Sequence, residues 1–90
     1  MIPNKRTATH PGEILLEEFL KPLGMKQTEL ARKLGIPVNR VNEIVRGKRG
    51  ITADTAWKLA RCFRCSAEFW MNLQAQYDLS RTRPARTHAA

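Results

Sequence analysis

Hydrophobic residues recur every three or four positions through most of the chain, which is the spacing of amphipathic α-helices. Pro11 suits a first helical position, and leucine and phenylalanine follow at helical intervals as far as Pro22-Leu23-Gly24. The pattern predicts a first helix from about residue 11 to residue 21. No segment alternates convincingly with the two-residue period of a β-strand, so the predicted fold class is all-α.

Four further helices are predicted from the same spacing and from residues that start and stop helices. The second covers Gln27 to Leu34 before Gly35, and the third runs from the Ile36-Pro37 pair to about residue 46. Thr52 and Ser66 are suitable N-caps for a fourth and a fifth helix. The fourth helix is expected to bury Ala53, Ala56, Trp57, Ala60 and Phe63. The fifth is expected to carry an apolar stripe of Phe69, Trp70, Leu73 and Tyr77.

The predicted helices leave polar segments at both ends of the chain. Residues 1–9 contain a proline and lack hydrophobic periodicity, which predicts a flexible N-terminal arm. From Ser80 onward Arg, Thr, Pro, Ala and His replace the apolar pattern, which predicts a disordered basic tail over residues 80–90. One helical domain over residues 10–79 therefore accounts for most of the 90 residues.

Composition excludes several classes of function. No run approaches the roughly 18 apolar residues of a membrane span, so no membrane partner is expected. The charged start of the chain has no apolar segment behind it, so no secretory signal is visible and a cytoplasmic location is the default expectation. The two histidines lie near opposite ends of the sequence, and no reactive group has an evident orienting neighbour. These observations argue against an enzyme.

Positive charge is concentrated in the middle of the sequence. The chain has 16 Lys and Arg residues and 8 Asp and Glu residues, a net charge of +8. Residues 26–49 hold seven basic and two acidic side chains, whereas residues 1–25 and 50–80 each carry balanced charges. This distribution favours a polyanionic partner, although a solvated helical face would have the same appearance.

The basic block coincides with a candidate helix-turn-helix motif between Gln27 and Lys48. Two helices that cross closely need a small side chain at the crossing and a glycine in the turn, and Ala31 and Gly35 occupy those positions. Val41 follows as an apolar residue facing inward. Together with the local charge, the motif predicts DNA binding. The alternative is a plain helical hairpin whose basic residues serve solubility.

The motif resembles the lambda-repressor-like helix-turn-helix domains, and the resemblance extends over roughly residues 10–79. Residues 10–15 (HPGEIL), 42–52 (NEIVRGKRGIT) and 69–74 (FWMNLQ) are similar to the HigA antitoxins, also described as the VapI-like group. The resemblance implies a five-helix domain that dimerises, represses its own operon and neutralises a RelE-like ribonuclease toxin, HigB. One position departs from the family pattern, which favours Ser or Thr where this chain has Lys26.

In this type of domain the third helix presents its N-terminal half to the major groove of double-stranded operator DNA. The candidate base contacts on its outward side are Val38, Asn39, Arg40, Asn42 and Glu43. A phosphate contact for Arg40 and an intramolecular salt bridge for Glu43 are the alternatives. The candidate phosphate contacts are Lys26, Gln27, Arg46, Lys48 and Arg49, with the role of Gln27 implied by the resemblance.

Two protein interfaces are expected in addition to the DNA surface. A single recognition helix reads about four to five base pairs, so a homodimer on a palindromic operator is expected. The candidate dimer contacts on the fifth helix are Phe69, Trp70, Met71, Leu73 and Tyr77, with the monomer core as the alternative for Trp70 and Leu73. Because a ribonuclease toxin is usually basic, the candidate toxin contacts are Glu13, Glu17 and Glu18. A helix-stabilising pair between Glu17 and Lys21 is the alternative.

The remaining chemistry is a C-x-x-C pair, Cys62 and Cys65. No second pair completes the four ligands of a zinc site, so the sequence predicts structural thiols and neither a metal nor another cofactor. Two further functions stay open. These are a stand-alone repressor without a toxin and an RNA- or nucleoid-binding protein without sequence preference.

Overall fold

The computed structural model describes residues 8–84, and this part of the chain contains five α-helices and no β-strand. The all-α, five-helix prediction is confirmed. Helix α1 covers residues 11–23 in three consecutive segments, Pro11–Ile14, Leu15–Leu20 and Lys21–Leu23. The others are α2 (Gln27–Leu34), α3 (Val38–Val45), α4 (Ala53–Phe63) and α5 (Ala67–Thr82). None of these helices is long and apolar enough to cross a membrane.

The middle of α1 is a π-helix, which the sequence pattern did not predict. The backbone N–H of Lys21 donates to the carbonyl of Leu16, five residues earlier, instead of four. The wider turn lies directly before Pro22, whose ring would collide with the carbonyl of residue 18 in a regular α-helix. The helix thereby continues through the proline to Gly24, which takes the left-handed conformation at its C-cap.

The first turn of α1 lies directly against the end of α3. His10 caps α1 through its Nδ1 atom, which accepts a 2.8 Å hydrogen bond from the backbone N–H of Gly12. A Cβ atom at Gly12 would overlap the backbone carbonyl of Ile44, so only glycine permits this approach. The recognition helix is therefore supported at its C-terminal end by the N-terminus of α1.

Trp70 forms the centre of the core, and this corrects its assignment to the dimer interface. Its side chain is 0% exposed and packs against Phe19, with 5.2 Å between ring centroids. The indole Nε1 donates to the Sγ atom of Cys65 at 3.1 Å. An indole that is enclosed and hydrogen-bonded within its own chain has no surface to offer a second copy, so the monomer-core alternative is correct for Trp70.

Helix α4 contradicts part of the expected core. Trp57 was expected to be buried but is 64% exposed, and Ala53 is also exposed. The residues that α4 buries are Thr55, Ala56, Leu59 and Ala60. The predicted helical spacing of α4 is correct, but the buried face is centred on Ala56 and Leu59, and Trp57 lies outside that face.

The ends of the domain extend beyond the predicted limits. Helix α5 continues to Thr82, so residues 80–82, predicted as tail, are helical. The backbone N–H of Ala8, predicted as part of the arm, donates to the hydroxyl of Ser80 at 2.9 Å. These contacts join both predicted boundaries to the folded domain. The rest of the predicted arm and tail, residues 1–7 and 85–90, lies outside the described residues.

Candidate nucleic-acid interface

The turn between α2 and α3 fixes the orientation of the two helices relative to each other. Gly35 has φ 69°, and the N–H of Ile36 donates to the carbonyl of Ala31 at 3.1 Å. Leu30, Ala31 and Leu34 are buried on α2, and Val41 and Ile44 are buried on α3. The inward positions predicted for the helix-turn-helix are thus confirmed, and the other side of α3 is directed outward.

The outward side of α3 begins with three consecutive predicted base contacts. Val38 is 44% exposed, which is high for an apolar residue, and Asn39 is also exposed. Arg40 is half-buried and forms no ion pair with the described residues. An apolar group, an amide and a guanidinium therefore stand together at the start of the helix, in a form that can match base edges.

Asn42 is linked to the first residue of α2. Its Nδ2 atom donates a 3.1 Å hydrogen bond to Oε1 of Gln27. This bond leaves the Nε2 group of Gln27 as a donor for a phosphate oxygen and the Oδ1 atom of Asn42 as an acceptor for a base amine. Because the amide nitrogen carries two hydrogens, the bond to Gln27 leaves the second N–H of Asn42, together with its oxygen, for a two-bond contact with adenine.

Glu43 is engaged within the protein. Its Oε1 atom accepts a 2.8 Å hydrogen bond from Nε of Arg49, so the predicted alternative of an intramolecular salt bridge is confirmed. The pair connects α3 to the loop that follows it. Arg49 keeps its outer guanidinium nitrogens available as donors, and its charge offsets that of the carboxylate close to the recognition surface.

The start of α2 has no side-chain cap within the described structure. Lys26 occupies the N-cap position with extended backbone angles, and its side chain makes no capping hydrogen bond. By contrast, Thr52 accepts from the N–H of Thr55, and Ser66 accepts from that of Phe69. The first N–H groups of α2 and the lysine charge therefore both remain available to an anion.

The loop after α3 carries the other predicted phosphate contacts. Gly47, with φ 76°, ends the helix, and the N–H of Lys48 donates to the carbonyl of Glu43 at 2.8 Å. Arg46, Lys48 and Arg49 are exposed. Cations with a defined backbone next to the recognition helix are suited to binding the phosphates on either side of the groove.

Helix α5 fixes this loop through a buried amide that the sequence analysis missed. The Oε1 atom of Gln74 accepts a 2.6 Å hydrogen bond from the N–H of Ile51, and its Nε2 donates to Asp78 at 2.9 Å. Gln74 is only 9% exposed. Its position four residues after Trp70, on the inward side of an apolar helix, was the available signal. His10 was missed as well, although a polar residue directly before Pro11 is the usual place for a cap.

Apart from the buried Trp70, the predicted dimer contacts on α5 are partly exposed, and Phe69, Leu73 and Tyr77 recur at four-residue intervals along the helix. Phe69 is 38% exposed and lies beside Phe19, while Tyr77 packs edge-on against His10 with 4.7 Å between ring centroids. Met71 instead lines a cleft of about 190 Å³ between α4 and α5 that also includes Trp57. Leu73 is half-buried against the core.

The three glutamates predicted to meet a toxin are exposed on α1. Glu17 forms a 2.9 Å ion pair with Lys21 one turn later, so the helix-stabilising alternative is confirmed for that residue. Glu13 occupies the first turn, where its charge favours the helix dipole. Glu18 belongs to the π-helical segment.

The C-x-x-C residues serve packing. Cys62 and Cys65 are free and half-buried, and burial raises the pKa of the Cys62 thiol. Within residues 8–84 no group of His, Cys, Asp and Glu side chains is arranged to hold a metal ion. A neutral thiol at the end of α4 is consistent with the predicted structural role.

The exposed recognition helix and its basic surroundings define a DNA-binding protein of the helix-turn-helix class. A family model described as Helix-turn-helix matches residues 16–70, and the chain belongs to this family. Within it, the chain is of the HigA type. Antitoxin HigA-1 of Vibrio cholerae is 39% identical over 83 residues, which cover 92% of this chain and 78% of that protein.

Other relatives agree with this assignment. Virulence-associated protein I of Dichelobacter nodosus is 54% identical over 76 residues, covering 84% of this chain and 70% of that protein. The structure of Pseudomonas aeruginosa antitoxin HigA with the higBA promoter is 50% identical and superposes with a TM-score of 0.81. The match covers 84% of this chain and 82% of the other. The resemblance inferred from the three sequence stretches is confirmed.

Proposed function

We propose that this chain is the antitoxin of a HigBA-like toxin–antitoxin system. In this role it neutralises a RelE-like mRNA-cleaving toxin and represses its own operon by binding palindromic operator DNA as a dimer. The observation that carries the proposal is the start of α3 beside the α2–α3 turn, where Val38 and Asn39 are exposed and the half-buried Arg40 forms no ion pair with the described residues. A relative that is 50% identical has been solved with its promoter, which supports DNA as the partner.

Each residue of the recognition surface has a proposed role that follows from its chemistry. Asn39 makes a bidentate contact with adenine, Arg40 makes one with guanine, and Val38 meets a thymine methyl group. Asn42 contacts a base with its oxygen and its second N–H while its bond to Gln27 orients that residue towards a phosphate. The remaining phosphate contacts come from Lys26, Arg46, Lys48 and Arg49, and Glu43 holds the last of these in place.

Dimerisation is proposed because a single α3 spans too few base pairs for a specific site. Two copies with recognition helices about 34 Å apart would read successive major grooves on one side of the duplex. The exposed edge of Phe69 and the half-buried Met71, Leu73 and Tyr77 remain the proposed contacts. Light scattering tests this directly, and a monomer at micromolar concentration in the presence of operator would contradict it.

For the toxin we propose the acidic side of α1. Glu13 and Glu18 are exposed and form no ion pair with the described residues, whereas Glu17 is partly neutralised by Lys21. Charge reversal of Glu13 and Glu18 is expected to abolish rescue of growth when the toxin is co-expressed. Reversal of Glu68 on α5 is the matched control, and rescue by all variants would remove the acidic contact.

The DNA part of the proposal is tested by fluorescence anisotropy on promoter and shuffled duplexes. The wild-type protein is expected to prefer its promoter by about a thousandfold or more. Asn39→Ala and Arg40→Ala are each expected to weaken promoter binding by about 5- to 150-fold, from about 1–3 kcal/mol per bidentate contact. The exposed Arg61 on α4 provides the control, Arg61→Ala, which leaves the preference intact.

Equal binding of both duplexes would reduce α3 to a basic surface and favour the non-specific binder. Promoter binding without rescue from a co-expressed toxin would leave a stand-alone repressor. The anisotropy experiment thus separates a specific from a non-specific DNA binder, and the rescue experiment separates an antitoxin from a stand-alone repressor.

A further inference from the structure

Two aromatic rings connect the loop that follows the recognition helix with a further arginine, Arg81. A Cβ atom built at Gly47 would be 3.8 Å from the ring of His10, and that ring contacts Tyr77 edge-on at 4.7 Å. The guanidinium carbon of Arg81 lies 5.4 Å from the Tyr77 ring centroid. His10 and Tyr77 thus lie between Gly47, in the loop that also bears Lys48, and Arg81 in the last turn of α5.

Arg81 is exposed, and its charge is not neutralised by an acidic partner in the described chain. The carboxylate nearest in sequence, Asp78, accepts a hydrogen bond from Gln74 instead. Electrostatics agree with the geometry at His10. Burial lowers the pKa of His10 most strongly, Asp78 opposes this effect, and the positive charge of Arg81 lowers the pKa further.

The Tyr77 ring also limits where the guanidinium of Arg81 can go. A guanidinium over an aromatic face is attracted by the ring electrons and keeps its N–H groups free for an oxyanion. The extension of α5 to Thr82 gives this arginine a fixed backbone, in contrast to the disordered tail predicted from the sequence. An arginine on a fixed helical backbone is suited to contact a DNA phosphate.

We infer that Arg81 binds a DNA backbone phosphate adjacent to those bound by Arg46, Lys48 and Arg49. This inference rests on the proposed DNA-binding function and adds the end of α5 to the contact surface. The contact carries no sequence information, so it contributes equally to operator and to unrelated duplex DNA. The alternative role for Arg81 is to stabilise the C-terminus of α5 through the helix dipole.

The test is the salt dependence of duplex binding for Arg81→Gln, with Arg61→Gln as the control. Both arginines are exposed and lie in the last turn of a helix, so the two variants remove the same charge from comparable positions. Loss of one phosphate contact is expected to reduce the slope of log K against log salt by about 0.9 per binding site. The slope of Arg61→Gln should equal that of the wild type.

A conservative variant separates a DNA contact from a structural role. Arg81→Lys keeps the charge and is expected to retain the wild-type slope. If both Arg81 variants weaken binding and neither changes the slope, Arg81 serves helix stability and the inference is overturned. An unchanged slope and affinity in Arg81→Gln overturns it too. If the proposed function is wrong, the wild-type protein binds promoter and shuffled DNA with equal affinity. The salt slopes of the Arg81 variants can still be measured on either duplex in that case.

Discussion

Replacement of Lys26 by serine is expected to stabilise the domain while it weakens DNA binding. Lys26 already has the extended N-cap backbone, with φ −82° and ψ 156°. Ser66, which caps α5 in the same protein, has φ −97° and ψ 152°. A serine at position 26 can therefore accept from the N–H of Glu29 without a change in the backbone. Glu29 occupies the third helical position, so the substitution also creates a complete capping box.

The expected gain is about 1 kcal/mol, which is the usual value of an N-cap hydrogen bond. For a domain of this size, 1 kcal/mol corresponds to a rise in Tm of about 4–8 °C. Urea and thermal unfolding of Lys26→Ser measure the gain. Lys26→Ala is the matched control, since alanine removes the same charge but adds no acceptor.

The two variants should differ in stability and agree in DNA binding. Both lose one cation at the start of α2, so both are expected to reduce the salt slope by about 0.9 per site. An unfolding midpoint for Lys26→Ser equal to that of Lys26→Ala would refute the assignment of an uncapped helix. A wild-type salt slope in both would remove Lys26 from the phosphate contacts.

Three further predictions concern the domain itself. Gly12→Ala is expected to lower the free energy of unfolding by about 1–3 kcal/mol, because the new methyl group would overlap the carbonyl of Ile44; unchanged urea unfolding would contradict the close approach. Burial lowers the pKa of His10 below 6.5, so the unfolded chain binds its proton more readily. Stability from this group is therefore complete above pH 6.5 and is lost as the pH falls through the pKa of the folded state. Between pH 7.5 and pH 5, His10→Asn should lose less free energy of unfolding than the wild type. Equal losses for the two proteins in urea unfolding would exclude this role of His10. Trp70→Ala is expected to cost about 3–5 kcal/mol, whereas Trp57→Ala, at an exposed site, should leave the urea midpoint within about 0.5 kcal/mol of wild type.

Local rules were sufficient for most of the helical framework. Thr52 and Ser66 cap their helices as expected, since an N-cap acts on backbone groups only three residues away. The inward positions of α2 and α3 were predictable for a related reason. A short glycine turn leaves one way for two helices to cross, so Ala31 and Val41 have to lie inside.

The parts that sequence reasoning missed depend on contacts between distant segments. The exposure of Trp57 could not be read from spacing, because the period of α4 fits two faces and the neighbouring helices decide between them. Gln74 has a partner, Ile51, that lies 23 residues away. On the proposed DNA surface, the residue types and a salt bridge for Glu43 were predictable from local rules, but the partners of Asn42 and Glu43, Gln27 and Arg49, were visible only in the fold.

The hydrogen bond between Gln27 and Asn42 affects how this protein could acquire a new operator. It immobilises two side chains before DNA arrives, which spares about 0.5–1.5 kcal/mol of ordering cost per side chain on binding. In the proposed DNA complex, the same bond connects a phosphate contact, Gln27, with a base contact, Asn42. A substitution of Asn42 would therefore weaken binding to every sequence, whereas Val38 and Asn39 can change with less effect on the rest of the surface. Divergence of operator preference among relatives is accordingly expected to occur at the base pairs that face the first turn of α3.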